Sequence, residues 1–177
     1  MSYSNLMNPA ELLHKENVVI IRMTDEFPNY ETYSDIDVIG HDLKTFKKNM
    51  WFKFLKYYKS RKFDLKESVT PFHCHFDFFP PGFRQLDLMI DFMPTLECYD
   101  DLGIKPTFYD DIISRARTIE RSGFEVKVPD FVDDLVLRYL EYRVKPEKTK
   151  HRDYVNTNKS QDFFRILEHN TRIFYED

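Results

Sequence analysis

Glycine is scarce in this chain of 177 residues: there are 4, and no two stand close together. Without a glycine cluster the sequence cannot build a P-loop or a dinucleotide-binding fingerprint, both of which need bare backbone against phosphate. Cysteine is scarcer still, with Cys74 and Cys98 alone. Their spacing makes no metal-ligand pair, and both thiols are expected to stay reduced. No apolar run reaches membrane length and the N-terminus has no signal-peptide pattern. The expectation is a soluble, cytoplasmic protein with no membrane partner. A net charge of −4 gives no overall attraction to nucleic acid or an anionic surface. The chain also lacks internal repeats and low-complexity tracts.

Aromatic residues are abundant instead. They make up 16% of the chain, led by 17 Phe and 11 Tyr, within a hydrophobic share of 42%. That suffices for a real core, and the length suits one domain or a compact core with a helical appendage. The first 16 residues read as a polar start and a short helix, with Asn8 as cap and Pro9 at the first helical position. Val18-Val19-Ile20-Ile21 is a continuous β-branched run of the kind found in a central strand. A loop from Asp25 to Ser34, marked by Pro28 and Asn29, leads to Tyr33-Ser34-Asp35-Ile36-Asp37-Val38-Ile39-Gly40.

In an extended chain Asp35 and Asp37 point one way and Ile36 and Val38 the other. Two anions side by side repel unless a cation lies between them, and a hard divalent ion such as Mg²⁺ meets that need with room left for phosphate. The plain alternative is a half-buried strand with two solvated acids.

Residues 44–62 carry eight basic side chains and no acid: Lys44, Lys47, Lys48, Lys53, Lys56, Lys59, Arg61 and Lys62. Phe46, Met50, Phe54, Tyr57 and Tyr58 recur at helical spacing, so the expected element is an amphipathic helix. Its cationic face either supports a polyphosphate electrostatically or is simply solvated.

From Val69 to Phe92 the pattern reads as two strands joined by Phe79-Pro80-Pro81-Gly82-Phe83. His73, His75 and Asp77 share one face of the first strand, opposite Phe72, Cys74, Phe76 and Phe78. That row is either a zinc-type ligand set or a polar outer face. On the second strand Asp87, Met89 and Asp91 share a face. After Pro94 come an acidic loop at residues 99–101, a helix from Thr107 to Arg117, a turn at Arg121-Ser122-Gly123 and a short strand from Phe124 to Val128. Asp130 starts a helix running to Val144, Pro146 interrupts the charged segment Lys145–Lys150, and a last helix spans Gln161–Phe174.

The strand of residues 17–23, the loop, Ser34-Asp35-Ile36-Asp37, a helix and a later acid-bearing strand pair together resemble the nucleotidyltransferase superfamily with the DNA polymerase β-like core. The resemblance covers about residues 15–95, and more weakly Val126 to Tyr154. It implies an α/β (α+β) fold: a small mixed sheet flanked by helices mainly on one side, with a core over 1–95 and a C-terminal helical extension over 96–177. It also implies an enzyme that transfers a nucleoside monophosphate from a nucleoside triphosphate to an acceptor, with Mg²⁺ or Mn²⁺ as cofactor. Asp35 and Asp37 would be metal ligands and catalytic groups. Asp77, Asp87 and Asp91 compete for the third carboxylate, and Leu86-Asp87-Leu88 matches the family's apolar-Asp-apolar triplet best, so Asp87 is chosen. Ser34 and Thr24 are the nucleotide-side candidates. Lys148, Lys150, His151 and Arg152 would lie beside the nucleotide, or else form a solvated loop with Asp153 paired to a neighbouring base.

One departure is plain: where the family has Gly-Ser at the end of the first strand, this chain has Arg22-Met23-Thr24. It motivates a second expectation, a non-catalytic binding module on the same fold. A third is a metal-dependent phosphoester hydrolase using Asp35, Asp37, His73, His75 and Asp77. The sequence leaves four acceptor classes open: a small molecule, a sugar, RNA or a protein.

Overall fold

The computed structural model describes residues 3–4, 7–31, 33–70, 73–80, 82 and 84–175. Phe72, Pro81 and Phe83, which the strand-pair expectation used, lie outside the described residues. The chain divides into two compact units, one made of Met1–Pro94 with Thr118–Val128, the other of Thr95–Arg117 with Pro129–Asp177.

The first unit begins with β1 (Tyr3–Ser4) and α1 (Pro9–Leu13), followed by β2 (Val19–Ile20), β3 (Tyr30–Glu31) and β4 (Ser34–Ile39). Asn8 caps α1 as expected, its carboxamide oxygen accepting from the Ala10 and Glu11 amides at 2.9 and 3.3 Å. Next come α2 (Leu43–Lys53), a π-helical turn (Phe54–Tyr58), a 3₁₀ turn (Lys59–Arg61), β5 (Asp64–Val69), β6 (Cys74–Phe79) and β7 (Leu88–Met93). The helix expected over 44–62 is therefore α-helical only to Lys53, and Lys62 ends the segment with φ at 64°.

The strands join into a seven-stranded mixed sheet in the order β5-β6-β7-β4-β2-β9-β8, so the expected mixed α/β fold is found. Here β8 is Arg117–Arg121, which the sequence reading did not expect, and β9 is Phe124–Val128, expected as a short strand within the 96–177 extension. β9 lies parallel to β2, with Val19 opposite Lys127. Phe124, Val126 and Val128 alternate with polar residues, as a strand covered on one face requires. Gly40 closes β4 where a Cβ would stand 2.9 Å from the Asn17 carbonyl oxygen, so the close approach of β4 to the chain before β2 depends on glycine.

The long pairings fix the faces. β4 and β7 run parallel with Ile36 opposite Ile90 and Val38 opposite Phe92, while β6 runs antiparallel to β7 with Phe76 opposite Ile90 and Cys74 opposite Phe92. These side chains are buried, and α2 lies over them: the Phe46 ring meets Phe76 at 5.8 Å and Phe92 at 5.0 Å between centroids. Truncating either sheet phenylalanine to alanine would cost about 3–5 kcal/mol. The odd-numbered residues of β4, β6 and β7 necessarily face the other way.

The second unit holds a 3₁₀ segment (Glu97–Leu102), α3 (Pro106–Arg115), α4 (Phe131–Val144), α5 (Thr149–Asn158) and α6 (Gln161–Asn170); the helices expected to reach Arg117 and Phe174 stop at Arg115 and Asn170. Asp130 caps α4 through the Val132 amide at 3.0 Å. α3 starts one residue before Thr107, at Pro106, whose fixed φ suits the first helical position. The stretch around His151, expected as loop, is the helix α5. Among the described residues no helix is long and apolar enough to cross a membrane.

Candidate functional site

The face of the sheet opposite α2 carries a row of polar side chains set by register. Asp37 on β4 stands opposite Asp91 on β7, Asp91 opposite His75 on β6, and His75 opposite Ser68 on β5. Adjacent strands lie about 4.8 Å apart, so this register forces two carboxylates into neighbouring positions, an arrangement that is destabilising in itself. Asp35, one row along, is exposed, while Asp37 is half-buried and Asp91 buried.

Arg22 is the cation brought to this row. It follows β2, and its guanidinium forms a close ion pair with the Asp37 carboxylate, the arginine side chain being only 9% exposed. Its backbone is left-handed, with φ at 54°, a conformation that favours glycine and is held here in a non-glycine residue. Burial pushes the Asp37 carboxyl above its ordinary value. Arg22 pulls it back, and the negative charges of Asp35 and Asp91 push it up again.

Two imidazoles converge on Asp91. His73 Nδ1 lies 2.8 and 3.0 Å from its two carboxylate oxygens, and His75 Nε2 lies 3.6 Å from Oδ1. His73 is held just ahead of β6 by Thr70: its amide donates to Thr70 Oγ1 at 3.1 Å and its carbonyl accepts from the Thr70 amide at 2.8 Å.

Asp87 sits apart from this arrangement. It precedes β7, is 2% exposed, and accepts a hydrogen bond from the buried Tyr30 hydroxyl at 2.7 Å. Its carbonyl accepts from the Tyr33 amide at 3.1 Å and its amide donates to the Phe78 carbonyl at 2.9 Å. The carboxylate in register with Asp37 is Asp91. Ile90-Asp91-Phe92 is itself an apolar-Asp-apolar triplet. Asp77 lies opposite Met89, one row from Asp91, with a buried Oδ1 that has no hydrogen-bond partner.

Ser34 opens β4, opposite Leu88, and is half-buried. Thr24 is exposed, and its carbonyl accepts from the Phe27 amide at 3.2 Å. Neither is in the row.

The basic helix does not bring its lysines to these acids, because α2 covers the opposite face of the sheet. Lys53 turns inward to Glu16 at 2.6 Å and to the carbonyls of Leu12 and His14, and Lys47 pairs with Glu67. The other six basic residues are exposed. In the second unit, Lys148 is bound to Glu141 at 2.6 Å, His151 is buried, and Arg152 pairs with Asp153 at 3.1 Å. That is the structural alternative for this segment, realised on a helix.

Among the described residues, the group of metal-type side chains whose ligand atoms come within 4.8 Å of one another is His73, His75 and Asp91. Asp35, Asp37 and Asp91 offer carboxylate oxygens, and Asp37 and Asp91 stand side by side where an added positive charge offsets their repulsion.

The sequence matches no family model and no curated protein. Among solved structures, the chain is similar to the crystal structure of an antigenic nucleotidyltransferase-like protein from Paracoccidioides brasiliensis, at 15% identity and a TM-score of 0.46. The match covers 86% of this chain and 78% of that one. A likeness of this size says nothing about chemistry.

Proposed function

We propose that the first unit is a nucleotidyltransferase whose site is the acids Asp35, Asp37 and Asp91 on one sheet face, with a nucleoside triphosphate as substrate and Mg²⁺ or Mn²⁺ as cofactor. The observation that carries this reading is the register of β4 on β7, which aligns Asp37 with Asp91 on one sheet face. Asp35, Asp37 and Asp91 would hold divalent ions, whose chemistry when bound would be activation of the attacking oxygen and stabilisation of the departing pyrophosphate. Asp35 and Asp37 hold the carboxylate oxygens for those ions, and Asp91 takes the third-carboxylate role in place of Asp87. Arg22 presents a fixed guanidinium beside the row, where it neutralises phosphate charge and assumes part of the grip that Gly-Ser gives other members.

A second reading is a binding module without catalysis. Arg22 favours it, since its guanidinium engages the Asp37 oxygen that a metal would need.

Calorimetric titration of the four ribonucleoside triphosphates with Mg²⁺ or Mn²⁺ separates the two. Transfer chemistry expects binding that requires the ion, is lost in Asp35→Asn and Asp91→Asn, and survives in Asp87→Asn. Binding that ignores the ion supports the module. No binding of any triphosphate to folded wild type overturns the nucleotide reading altogether.

A further inference from the structure

We infer that His73, His75 and Asp91 form a binding site for a transition-metal ion of the zinc or cobalt type. The site goes beyond nucleotidyl transfer, because it needs neither Asp35 nor a nucleotide. One ligand atom from each of the three residues lies within 4.8 Å of the others. Donors about 2.0–2.2 Å from a common ion stand roughly 3–4 Å apart, so these atoms need only small side-chain rotations to close on one.

The chemistry of the set argues for the ion type. Two imidazoles and one carboxylate suit zinc and its neighbours, whereas Mg²⁺ takes oxygen and keeps its waters. Three protein ligands leave a position for water or substrate.

The placement is also more than a surface ion pair. A carboxylate that needed only one partner would be satisfied by His73, yet a second imbalance stands beside it: Asp37 is in the next register position. An ion at Asp91 supplies positive charge where Arg22, committed to Asp37, does not. Each histidine is 28% exposed and Asp91 9%, so the site is sheltered but reachable. His75 stands on β6 and His73 just ahead of it, and the antiparallel pairing with β7 sets Asp91 opposite His75 and within reach of both rings.

The test is titration of the metal-free full chain with Co²⁺, followed by its visible absorption, with Zn²⁺ and Mg²⁺ as competitors. Saturation at one Co²⁺ per chain is expected, displaced by Zn²⁺ and not by a large excess of Mg²⁺. His73→Gln and His75→Gln should each weaken Co²⁺ about tenfold or more, the scale on which even outer ligand contacts act. Both positions are part-exposed, and glutamine keeps a polar side chain of similar reach; His75→Ala with an unchanged melting curve serves as the second variant. Asp35→Asn should shift Co²⁺ affinity far less than either histidine change. A His75→Gln or His75→Ala titration that overlays wild type overturns the site. So does equal competition by Mg²⁺, or an Asp35→Asn loss as large as that of the histidine variants. Histidine-dependent Co²⁺ binding without any triphosphate binding leaves this site standing and removes the nucleotidyl-transfer reading; the converse result does the opposite.

Discussion

In the helical unit, Glu141 receives the Tyr99 hydroxyl at 3.0 Å and the ammonium groups of Lys145 and Lys148 at 3.1 and 2.6 Å. Asp133, fully buried, takes Arg115 in a two-pronged contact at 2.9 and 3.0 Å, and Asp134 has Arg138 at 2.7 Å. Each of these three acids is matched by at least one cation. On the sheet face three acids, Asp35, Asp37 and Asp91, share Arg22 and two imidazoles. Burying a charge is costly, so a carboxylate kept for architecture is matched by donors, while one kept for a ligand is left short of positive charge. The helical unit shows the first pattern, and the sheet face sets three acids against Arg22 and two imidazoles.

The largest expected effect breaks the comparison on its structural side. Arg115→Ala strips Asp133 of both its donors and should cost about 3 kcal/mol in a denaturant titration, near the low end for a buried pair because the arginine is part-exposed. Burial already raises the Asp133 carboxyl and Arg115 opposes that rise. Removing the arginine lifts the folded value further. A raised carboxyl contributes stability that is present below 3.8 and is lost as the pH climbs through the folded value. The penalty of Arg115→Ala should therefore be greatest near neutrality and shrink on acidification towards pH 4.

Next is Tyr30→Phe, which leaves the buried Asp87 carboxylate without its hydroxyl donor. A loss of roughly 1–3 kcal/mol is expected in the same titration, with Co²⁺ and triphosphate binding retained. Loss of metal binding in that variant would return Asp87 to the site.

Smaller again is Asp35→Asn. Taking one charge from an acid row whose members repel should leave the melting temperature equal to or above that of wild type while metal-dependent triphosphate binding disappears. A clear fall in melting temperature would place Asp35 among the architectural acids.

The smallest concerns the thiols. Cys74 is fully buried, and burial, helped by Glu67, pushes its thiol up to about 11. At pH 8, iodoacetamide should modify the exposed Cys98 and spare Cys74 until denaturant is added, as peptide mass mapping would show.

Much of the fold was legible because local chemistry dictates it. Asn8-Pro9 announces a helix start, Asp130 announces another, and Ser122-Gly123, both with positive φ, turn the chain between β8 and β9. Alternation put Asp35 and Asp37 on one face opposite Ile36 and Val38, and the burial agrees. β8 and α5 were harder to see: Arg117-Thr118-Ile119-Glu120-Arg121 is short and highly polar, and α5 is rich in residues that serve loops as well. The basic helix misled for a different reason. Its charge was visible, but which face of the sheet it covers is decided by the packing of Phe46 on Phe76 and Phe92.

The sequence by itself determined that two acids project together from one strand and that a Phe-rich face is available to bury on another, because period-two alternation is a property of the extended chain. Only the tertiary structure decided which carboxylates meet. Asp87 and Asp91 lie on the same side of the same stretch, and nothing local tells them apart. The pairing of β7 with β4 and β6 aligns Asp91 with Asp37 and His75, while Asp87, four residues earlier, falls against Tyr30. Register is a relation between strands, fixed by burying Ile36, Ile90 and Phe76 together, and a single strand does not contain it.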